Sequence, residues 1–182
     1  MRLLVTGSRD WPHYRAVWAA LNELAVACVE TFDPELTVVH GDARGVDSFA
    51  DSWARGLGPD LPDGLRVMRE PHRVIPSEWR AYGNWAAHRR NAAMVRLGAD
   101  VCFAFLWPCT KPLCRKPKPH RSHGASGCAD LAEAADIRVQ RFYSEPCSQC
   151  NGKGEIAAEM TSQGCRFERC PVCAPIEEME RG

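Results

Sequence analysis

The chain has 182 residues, enough for one ordinary domain with a small appendage. Hydrophobic residues make up 45% and charged residues 25%, which is typical of a soluble globular protein with a real core. Basic and acidic residues both number 23, so the zero net charge excludes a general nucleic-acid or membrane binder. With no membrane-spanning run and no signal-peptide pattern at the start, we expect a cytoplasmic protein without a membrane partner.

Apolar runs and helical periodicities alternate along the first three quarters of the chain. They predict strands at 2–6, 36–40, 65–68, 100–106 and 137–142. Helices are predicted at 14–29, at about 45–56, at 77–97 and at 128–135. Ser77 is the expected N-cap of the long helix 77–97, Glu78 is an acid in its first turn, and Gly98 ends it.

This alternation predicts an α/β fold, with a Rossmann-like, mostly parallel sheet that carries helices on both faces. The alternation ends at Tyr143, and Ser144-Glu145-Pro146 marks a boundary. We therefore expect a nucleotide-binding domain at 1–143 with a Cys/His-rich basic insert at 107–123, and a small zinc-bound C-terminal module at 144–182.

Three segments are predicted to lie at the carboxyl ends of strands, where open α/β sheets bind ligands. The strongest is 40–47, because two glycines bracket Arg44 between a strand and the start of a helix. The others are the turn at 7–10 and the glycine-rich stretch 124–127 ahead of a helix. Together they predict a phosphate-bearing ligand, bound by the residues Gly7, Ser8, Arg9, Gly41, Arg44, Gly45, Asp47, Gly124, Ser126 and Gly127.

Other polar and aromatic residues have structural interpretations beside the functional ones. Asp47 either binds a ribose hydroxyl or caps the helix and holds Arg44. His40, at a strand end, is expected to be a satisfied structural histidine. The helically spaced stripe Trp79, Tyr82, Trp85 and Ala86 is expected to be core or pocket wall rather than a base-stacking platform.

The ordered series of these motifs resembles the YspA-type branch of the SLOG superfamily. It comprises residues 5–9, the octet 40–47 with Ala50, Trp79 with Gly83, Arg90-Asn91 with Met94, and 124–127 with Leu131-Ala132. These Rossmann-like domains are related to the DNA-processing protein DprA and to LOG-type phosphoribohydrolases. The resemblance covers about residues 2–142 and implies a nucleotide or nucleotide-derived ligand. It also implies that Arg90 and Asn91 bind the ligand, because they lie where LOG-type enzymes carry a substrate-binding basic residue.

The LOG signature P-G-G-x-G-T-x-x-E maps onto the stretch that ends at Leu131. Gly124 and Gly127 are retained, Cys128 stands for the threonine, and Leu131 stands for the catalytic glutamate. Leucine cannot transfer a proton or stabilise an oxocarbenium-like sugar, and Glu133, two residues on, lies on another helix face. The departure weakens the case for N-glycosidic cleavage by the LOG mechanism.

The tail contains two C-x-x-C pairs, Cys147 with Cys150 and Cys170 with Cys173. Two such pairs close a tetrahedral thiolate site, so we predict a structural zinc in a zinc-ribbon-like module. The tail has few apolar residues, and metal binding would supply its folding energy. A disulfide pair or redox motif is the alternative, Cys165 looks spare, and the module could bind a protein partner.

The insert offers four further ligands at less regular spacing, Cys109, Cys114, His120 and His123, for a second zinc; Cys128 could replace one of them. Residues 111–121 also carry five basic residues without an acid. They are either a solvated face, a source of local anion attraction, or a contact for nucleic-acid phosphates.

Three functional hypotheses follow from this sequence. The first is a nucleotide-binding sensor or adaptor with structural zinc. The second is a nucleotide-processing enzyme of the phosphoribohydrolase type that uses another acid. The third is DprA-like binding of single-stranded DNA.

Overall fold

The computed structural model describes residues 1–31, 34–145, 155–161 and 164–169, the last two ranges as backbone alone. The chain divides into two compact units, Met1–Ser144 and Glu145–Gly182. In the described part of the chain no helix combines the length and the apolar character needed to cross a membrane.

The first unit contains five strands and five helices among its described residues. The strands are β1 (Arg2–Gly7), β2 (Glu35–His40), β3 (Arg66–Pro71), β4 (Val101–Leu106) and β5 (Arg138–Tyr143). The helices are α1 (Tyr14–Glu30), α2 (Val46–Ala54), α3 (Pro76–Tyr82), α4 (Trp85–Arg96) and α5 (His123–Ala134).

All five strands are parallel and lie in the order β3-β2-β1-β4-β5. The predicted α/β, Rossmann-like fold is therefore confirmed. The strand order reverses between β1 and β4, so the segments that follow these two strands start side by side at one sheet edge.

Alternating strand residues supply one core on each face of the sheet. Leu3 and Val5 of β1 pack with residues of α1 and α2, including Leu21 and Trp53. Leu4, between them, packs on the opposite face with residues of α4 and α5. Every residue of β4 is buried, as expected of a central strand covered on both faces.

The predicted long helix 77–97 is wrong in its continuity, because the structure has two helices there. Gly83 has φ +52°, a left-handed conformation that glycine adopts without steric cost, and it separates α3 from α4. Ser77 is not the N-cap: Pro76 is the first helical residue, and the amide of Ile75 donates to Glu78 Oε2 at 3.0 Å. Gly98, at φ +78°, follows the end of α4 as expected.

The last helix of the first unit begins five residues earlier than predicted. Helix α5 starts at His123, so Gly124–Gly127 form its first turns rather than a loop that precedes it. In the second unit, β6 (Glu155–Thr161) and β7 (Gly164–Arg169) pair as an antiparallel hairpin.

Candidate functional site

A cavity of about 290 Å³ opens at the carboxyl ends of β1, β2 and β3, which is close to the lower limit for small-molecule sites. Four arginines and one aspartate supply its charged lining, which makes the cavity electropositive. Its walls are Arg9, Gly41, Asp42, Ala43, Arg44, Arg73, Val74, Trp79 and Arg90.

Arg90 reaches this cavity from α4 only because residue 41 has no side chain. A Cβ on Gly41 would lie 0.8 Å from Arg90 Nη1, so any other residue would displace the guanidinium group. The Arg90 side chain is largely buried, and its Nε has no hydrogen-bond partner among the described residues. A buried, unpaired donor is costly, and an anion in the cavity would supply an acceptor.

Asp47, in the first turn of α2, lies behind the cavity and contacts Arg90. Its Oδ2 is 3.5 Å from Arg90 Nη1, and its carboxylate accepts hydrogen bonds from the amides of Gly41 and Ala43. Burial raises the pKa of Asp47 to about 6, although Arg90 and these amides oppose the shift. The expectation that Asp47 holds Arg44 is wrong, because Asp47 pairs with Arg90 and Arg44 pairs with Asp10. The Asp47 carboxylate holds the loop amides instead, and a contact with a ribose hydroxyl remains a prediction.

The loop after β2 uses its own amides internally. In addition to the Gly41 and Ala43 amides held by Asp47, the amide of Asp42 donates to His40 Nδ1 at 3.2 Å. This differs from the expected role of a glycine loop that presents its amides to phosphate. The donors that line the cavity are instead guanidinium groups.

Two exposed ion pairs fix the cavity rim. Arg44 Nη2 donates to Asp10 Oδ1 at 2.8 Å, and Arg73 Nε donates to Asp42 Oδ2. Asp42 has φ +50°, which is unusual for a residue other than glycine and holds its carboxylate in this rim.

The turn after β1 is packed tightly against the start of α2. A Cβ on Gly7 would lie 2.3 Å from Val46 side-chain atoms, and Gly45 has φ +81° with the backbone of Ser8 and Arg9 within 3 Å of its Cβ position. Ser8 is buried: its amide donates to Phe105 O, and its hydroxyl accepts from the Trp107 amide at 2.9 Å. Gly7, Ser8 and Gly45 therefore shape the site, while Arg9 lines it.

The start of α5 is not part of this cavity lining. Gly124, Ser126 and Gly127 lie in the first turns of the helix, and the Ser126 amide donates to Ser122 O. Asn91 is buried, and its Nδ2 donates to Gly124 O at 3.2 Å, so it connects α4 to α5. The structure thus brings together two of the three predicted loops.

His40 has partners on both ring nitrogens, as expected of a structural histidine. Its Nδ1 accepts from the Asp42 amide, which leaves Nε2–H to donate to Asp51 Oδ1 at 3.2 Å. Burial lowers the pKa of His40, so the neutral ring is favoured.

The aromatic stripe is not core, contrary to part of the expectation. Ala86 is buried, but Trp79, Tyr82 and Trp85 are 38%, 44% and 72% exposed. Trp79 is a cavity wall, and no residue of α3 is buried.

The four ligand candidates of the insert converge on one point. One ligand atom from each of Cys109, Cys114, His120 and His123 lies within 4.8 Å of every other. Cys114 Sγ is 3.4 Å from His120 Nε2 and 3.1 Å from His123 Nε2. Bond lengths to zinc imply separations of about 3.3 to 3.8 Å between tetrahedral ligands, so this cluster could hold a metal ion.

Backbone contacts of the insert place these ligands. The Cys109 amide donates to His120 O at 2.8 Å, and Pro108 forms a bridge with Arg121. His120 Nδ1 lies 2.8 Å from Pro117 O, a contact that puts the proton on Nδ1 and leaves the Nε2 lone pair toward the cluster.

The alternative ligand Cys128 is excluded by its position. It lies on the buried face of α5, within the core, and burial raises the pKa of its thiol to about 11. Cys147, Cys150, Cys170 and Cys173 lie outside the described residues, as does the Cys165 side chain. The tail site therefore remains a prediction.

Sequence reasoning missed Arg73, Val74 and Asp42 as cavity residues. Asp42 was inside the octet but was not assigned a role. Arg73 and Val74 follow β3, whose carboxyl end lies at the same sheet edge, and that position was the available signal.

Comparisons with known proteins agree with this architecture. A family model described as "YspA, cpYpsA-related SLOG family" matches residues 1–61, which include the loops after β1 and β2 that line the cavity. The chain is also similar to the "Gene 61 protein" of Mycobacterium phage D29, with 39% identity over 145 residues, covering 80% of this chain and 98% of the relative. The chain belongs to the YspA, cpYpsA-related SLOG family. Membership in the SLOG superfamily points to a nucleotide-related ligand.

Helix α5 carries no acid toward the cavity. Leu131, at the position of the LOG glutamate, is exposed. Glu133 and Asp130 both bind Arg141 of β5. Helix α5 therefore supplies no acid that could replace the catalytic glutamate of LOG-type hydrolases.

Proposed function

We propose that this protein binds a nucleotide or nucleotide-derived ligand through its phosphate, as a sensor or adaptor. The observation that carries the proposal is Arg90, a largely buried guanidinium group whose Nε has no partner among the described residues and which lines an arginine-rich cavity. Arg9, Arg44 and Arg73 at the same cavity would complete the neutralisation of a phosphate group.

Calorimetric titration with adenosine 5′-monophosphate and with adenosine tests this proposal. We expect the monophosphate to bind at least tenfold more tightly than the nucleoside. Arg44→Gln should weaken monophosphate binding, whereas Arg96→Gln, on the same helix as Arg90 but outside the cavity lining, should not. Equal affinity for nucleoside and monophosphate would contradict the proposal, and guanosine, cytidine and uridine monophosphates define the preferred base.

A nucleotide-processing enzyme is the second candidate, and Asp47 is the observation in its favour. A carboxyl group with a pKa of about 6 beside a phosphate-binding arginine has the properties of a general acid. Incubation with nucleoside monophosphates should release no free base if the protein is a sensor. Base release that disappears in Asp47→Asn would establish the enzyme instead.

We further propose that the Cys/His cluster of the insert and the four cysteines of the tail each bind a structural zinc ion. The cluster of Cys109, Cys114, His120 and His123 has two thiolates and two imidazoles, the ligands of many structural zinc sites. For the tail, the hairpin β6–β7 falls between the two C-x-x-C pairs, as a zinc ribbon requires. The free thiols of Cys102 and Cys128 also support a reducing, cytoplasmic setting.

Metal content of purified protein separates the two sites. We expect two zinc equivalents in the full chain, one in Cys114→Ser and one in Cys150→Ser, with Cys28→Ser as the control for loss of a buried thiol. Unchanged zinc in Cys114→Ser would contradict the insert site, and unchanged zinc in Cys150→Ser would contradict the tail site.

A further inference from the structure

The segment from Ile75 to Arg89, here called the aromatic arm, exposes more apolar ring surface than a self-contained fold requires. Trp79, Tyr82 and Trp85 are all more than one third exposed, and Ile75 is half exposed. Helix α3 has no buried residue, so it adds nothing to the core. Several exposed apolar side chains within one short segment point to a site of interaction.

The aromatic arm is basic together with the cavity that it adjoins. The arm carries Arg80 and Arg89 against one acid, Glu78, and the cavity lining adds four arginines. The Glu78 carboxylate caps the amide of Ile75 at the start of α3. The arm therefore favours an anionic partner even though the whole chain is neutral.

Two aromatic rings of the arm contact a basic side chain. The Arg89 Cζ atom lies 4.3 Å from the centroid of the Tyr82 ring, and the rings of Trp85 and His88 are 5.5 Å apart. Such pairs present flat faces and positive charge together, which is the combination that binds bases and their phosphates.

The arm continues directly from the arginine-rich cavity. Trp79 belongs to α3 and also lines the cavity, and Arg73 and Val74, just before the arm, line it too. Trp85 lies beyond the cavity lining. A ligand whose phosphate occupied the cavity would therefore meet Trp79 first and the more exposed rings beyond it.

We propose that the aromatic arm binds single-stranded nucleic acid, with one phosphate in the arginine-rich cavity and neighbouring unpaired bases against Trp79, Tyr82 and Trp85. A single strand fits because its bases offer free ring faces, whereas the bases of a duplex stack on each other. A polyanion with exposed rings matches both properties of the arm, its aromatic surface and its arginines. The proposal rests on the proposed function for the phosphate in the cavity, but not for the contacts along the arm.

Fluorescence anisotropy of the full chain tests this inference. The probes are a 5′-phosphorylated, labelled 12-nucleotide thymidine strand, a uridine strand of the same length, and a duplex of the same length. We expect the single strands to bind more tightly than the duplex and more tightly than thymidine 5′-monophosphate. A comparison of the affinities for the thymidine and uridine strands shows whether the protein prefers DNA or RNA.

The decisive variant is Trp85→Ala, because this side chain is 72% exposed and lies outside the cavity lining. It should weaken oligonucleotide binding roughly tenfold, the loss typical of one stacked base, and leave monophosphate binding unchanged. Tyr14→Ala removes an exposed ring from α1 and should leave oligonucleotide binding unchanged.

The outcomes separate this inference from the proposed function. Monophosphate binding without tighter oligonucleotide binding, or an unchanged affinity in Trp85→Ala, would overturn the inference alone. Equal binding of duplex and single strand would also overturn it. Loss of self-association in Trp85→Ala by sedimentation, with no effect on oligonucleotides, would assign the arm to a second copy of the chain. Absence of binding by every phosphate-bearing probe would overturn both proposals.

Discussion

The arginine-rich cavity and the Cys/His insert lie at the same edge of one sheet but are built in opposite ways. Strand ends and two helices form the cavity, and its glycines leave space for Arg90 and let the loops pack closely together. The insert holds its ligands in a loop, with backbone contacts at its two ends and four metal-binding side chains at its centre. The cavity therefore depends on packing, whereas the insert is expected to depend on its ion.

The largest expected effect is on packing at the cavity. Gly41→Ala places a methyl group where Arg90 Nη1 lies, so it must expel the guanidinium group and break the contact with Asp47. We expect a loss of about 3 kcal/mol or more in the free energy of unfolding, measured with urea, and loss of monophosphate binding.

Gly124→Ala is the matched control for this substitution. Gly124 lies in helix α5, and nothing is within 4 Å of its Cβ position. Alanine there should leave stability unchanged or raise it by up to about 1 kcal/mol. Equal destabilisation by both alanines would contradict the dependence of the cavity on Gly41.

Asp47 gives the cavity a pH dependence of its own. Its folded pKa of about 6 lies above its unfolded value, so the native state binds the extra proton between the two values. The contribution of Asp47 to stability should therefore fall as pH rises from about 4 to about 6, on the order of 2 to 3 kcal/mol in total.

Urea unfolding of the wild type and of Asp47→Asn between pH 4 and pH 7 measures this contribution. The free energy of the wild type minus that of the variant should decrease across the interval. A difference that stays constant or increases with pH would contradict the raised pKa. Added phosphate should protect the variant more than the wild type, because it returns a partner to Arg90.

Loss of the metal should loosen the insert and leave the cavity intact. In Cys114→Ser we expect the amides of Cys109 and Ser122, which donate within the insert, to exchange with deuterium at least tenfold faster. The Ser8 amide, bonded to Phe105 O of β4, should keep its protection. Leu113→Ser, at an exposed neighbouring position, is the control, and unchanged exchange in Cys114→Ser would contradict a metal-dependent insert.

The smallest expected effect concerns Thr110, which joins the insert to the cavity rim. Thr110 follows Cys109, and its hydroxyl donates to Asp10 Oδ2 at 2.6 Å; Asp10 in turn holds Arg44. Thr110→Val should weaken monophosphate binding about twofold to threefold, since exposed pairs of this kind contribute less than about 1 kcal/mol. Thr31→Val, at the end of α1, should have no effect on calorimetric affinity.

The layered fold could be predicted from the sequence because its signals are local and repeated. The apolar run of β4 identified a strand covered on both faces, and the sheet edge followed from the alternation of elements. The break of the long helix was missed because Gly83 lies within a periodic pattern, and only its backbone conformation reveals that it separates two helices.

The site was predicted less completely than the fold, for a physical reason. Glycines in the octet indicated a ligand loop, but their roles depend on partners distant in sequence: Gly41 makes room for Arg90, and the amides of Gly41 and Ala43 are held by Asp47. The exposure of Trp85 was also unpredictable, because helical spacing alone does not say whether a stripe meets a core.

Two adjacent residues of helix α4 contact different sites. Arg90 lines the arginine-rich cavity, and Asn91 donates a hydrogen bond to the carbonyl of Gly124. Gly124 directly follows the metal-ligand candidate His123. This shared helix is the physical connection through which any coupling between the two sites would run. By whatever factor an ion in the insert alters the affinity for phosphate, phosphate must alter the affinity for that ion by the same factor. Zinc titrations at increasing phosphate concentration would therefore measure the same coupling, as a change in the affinity for zinc.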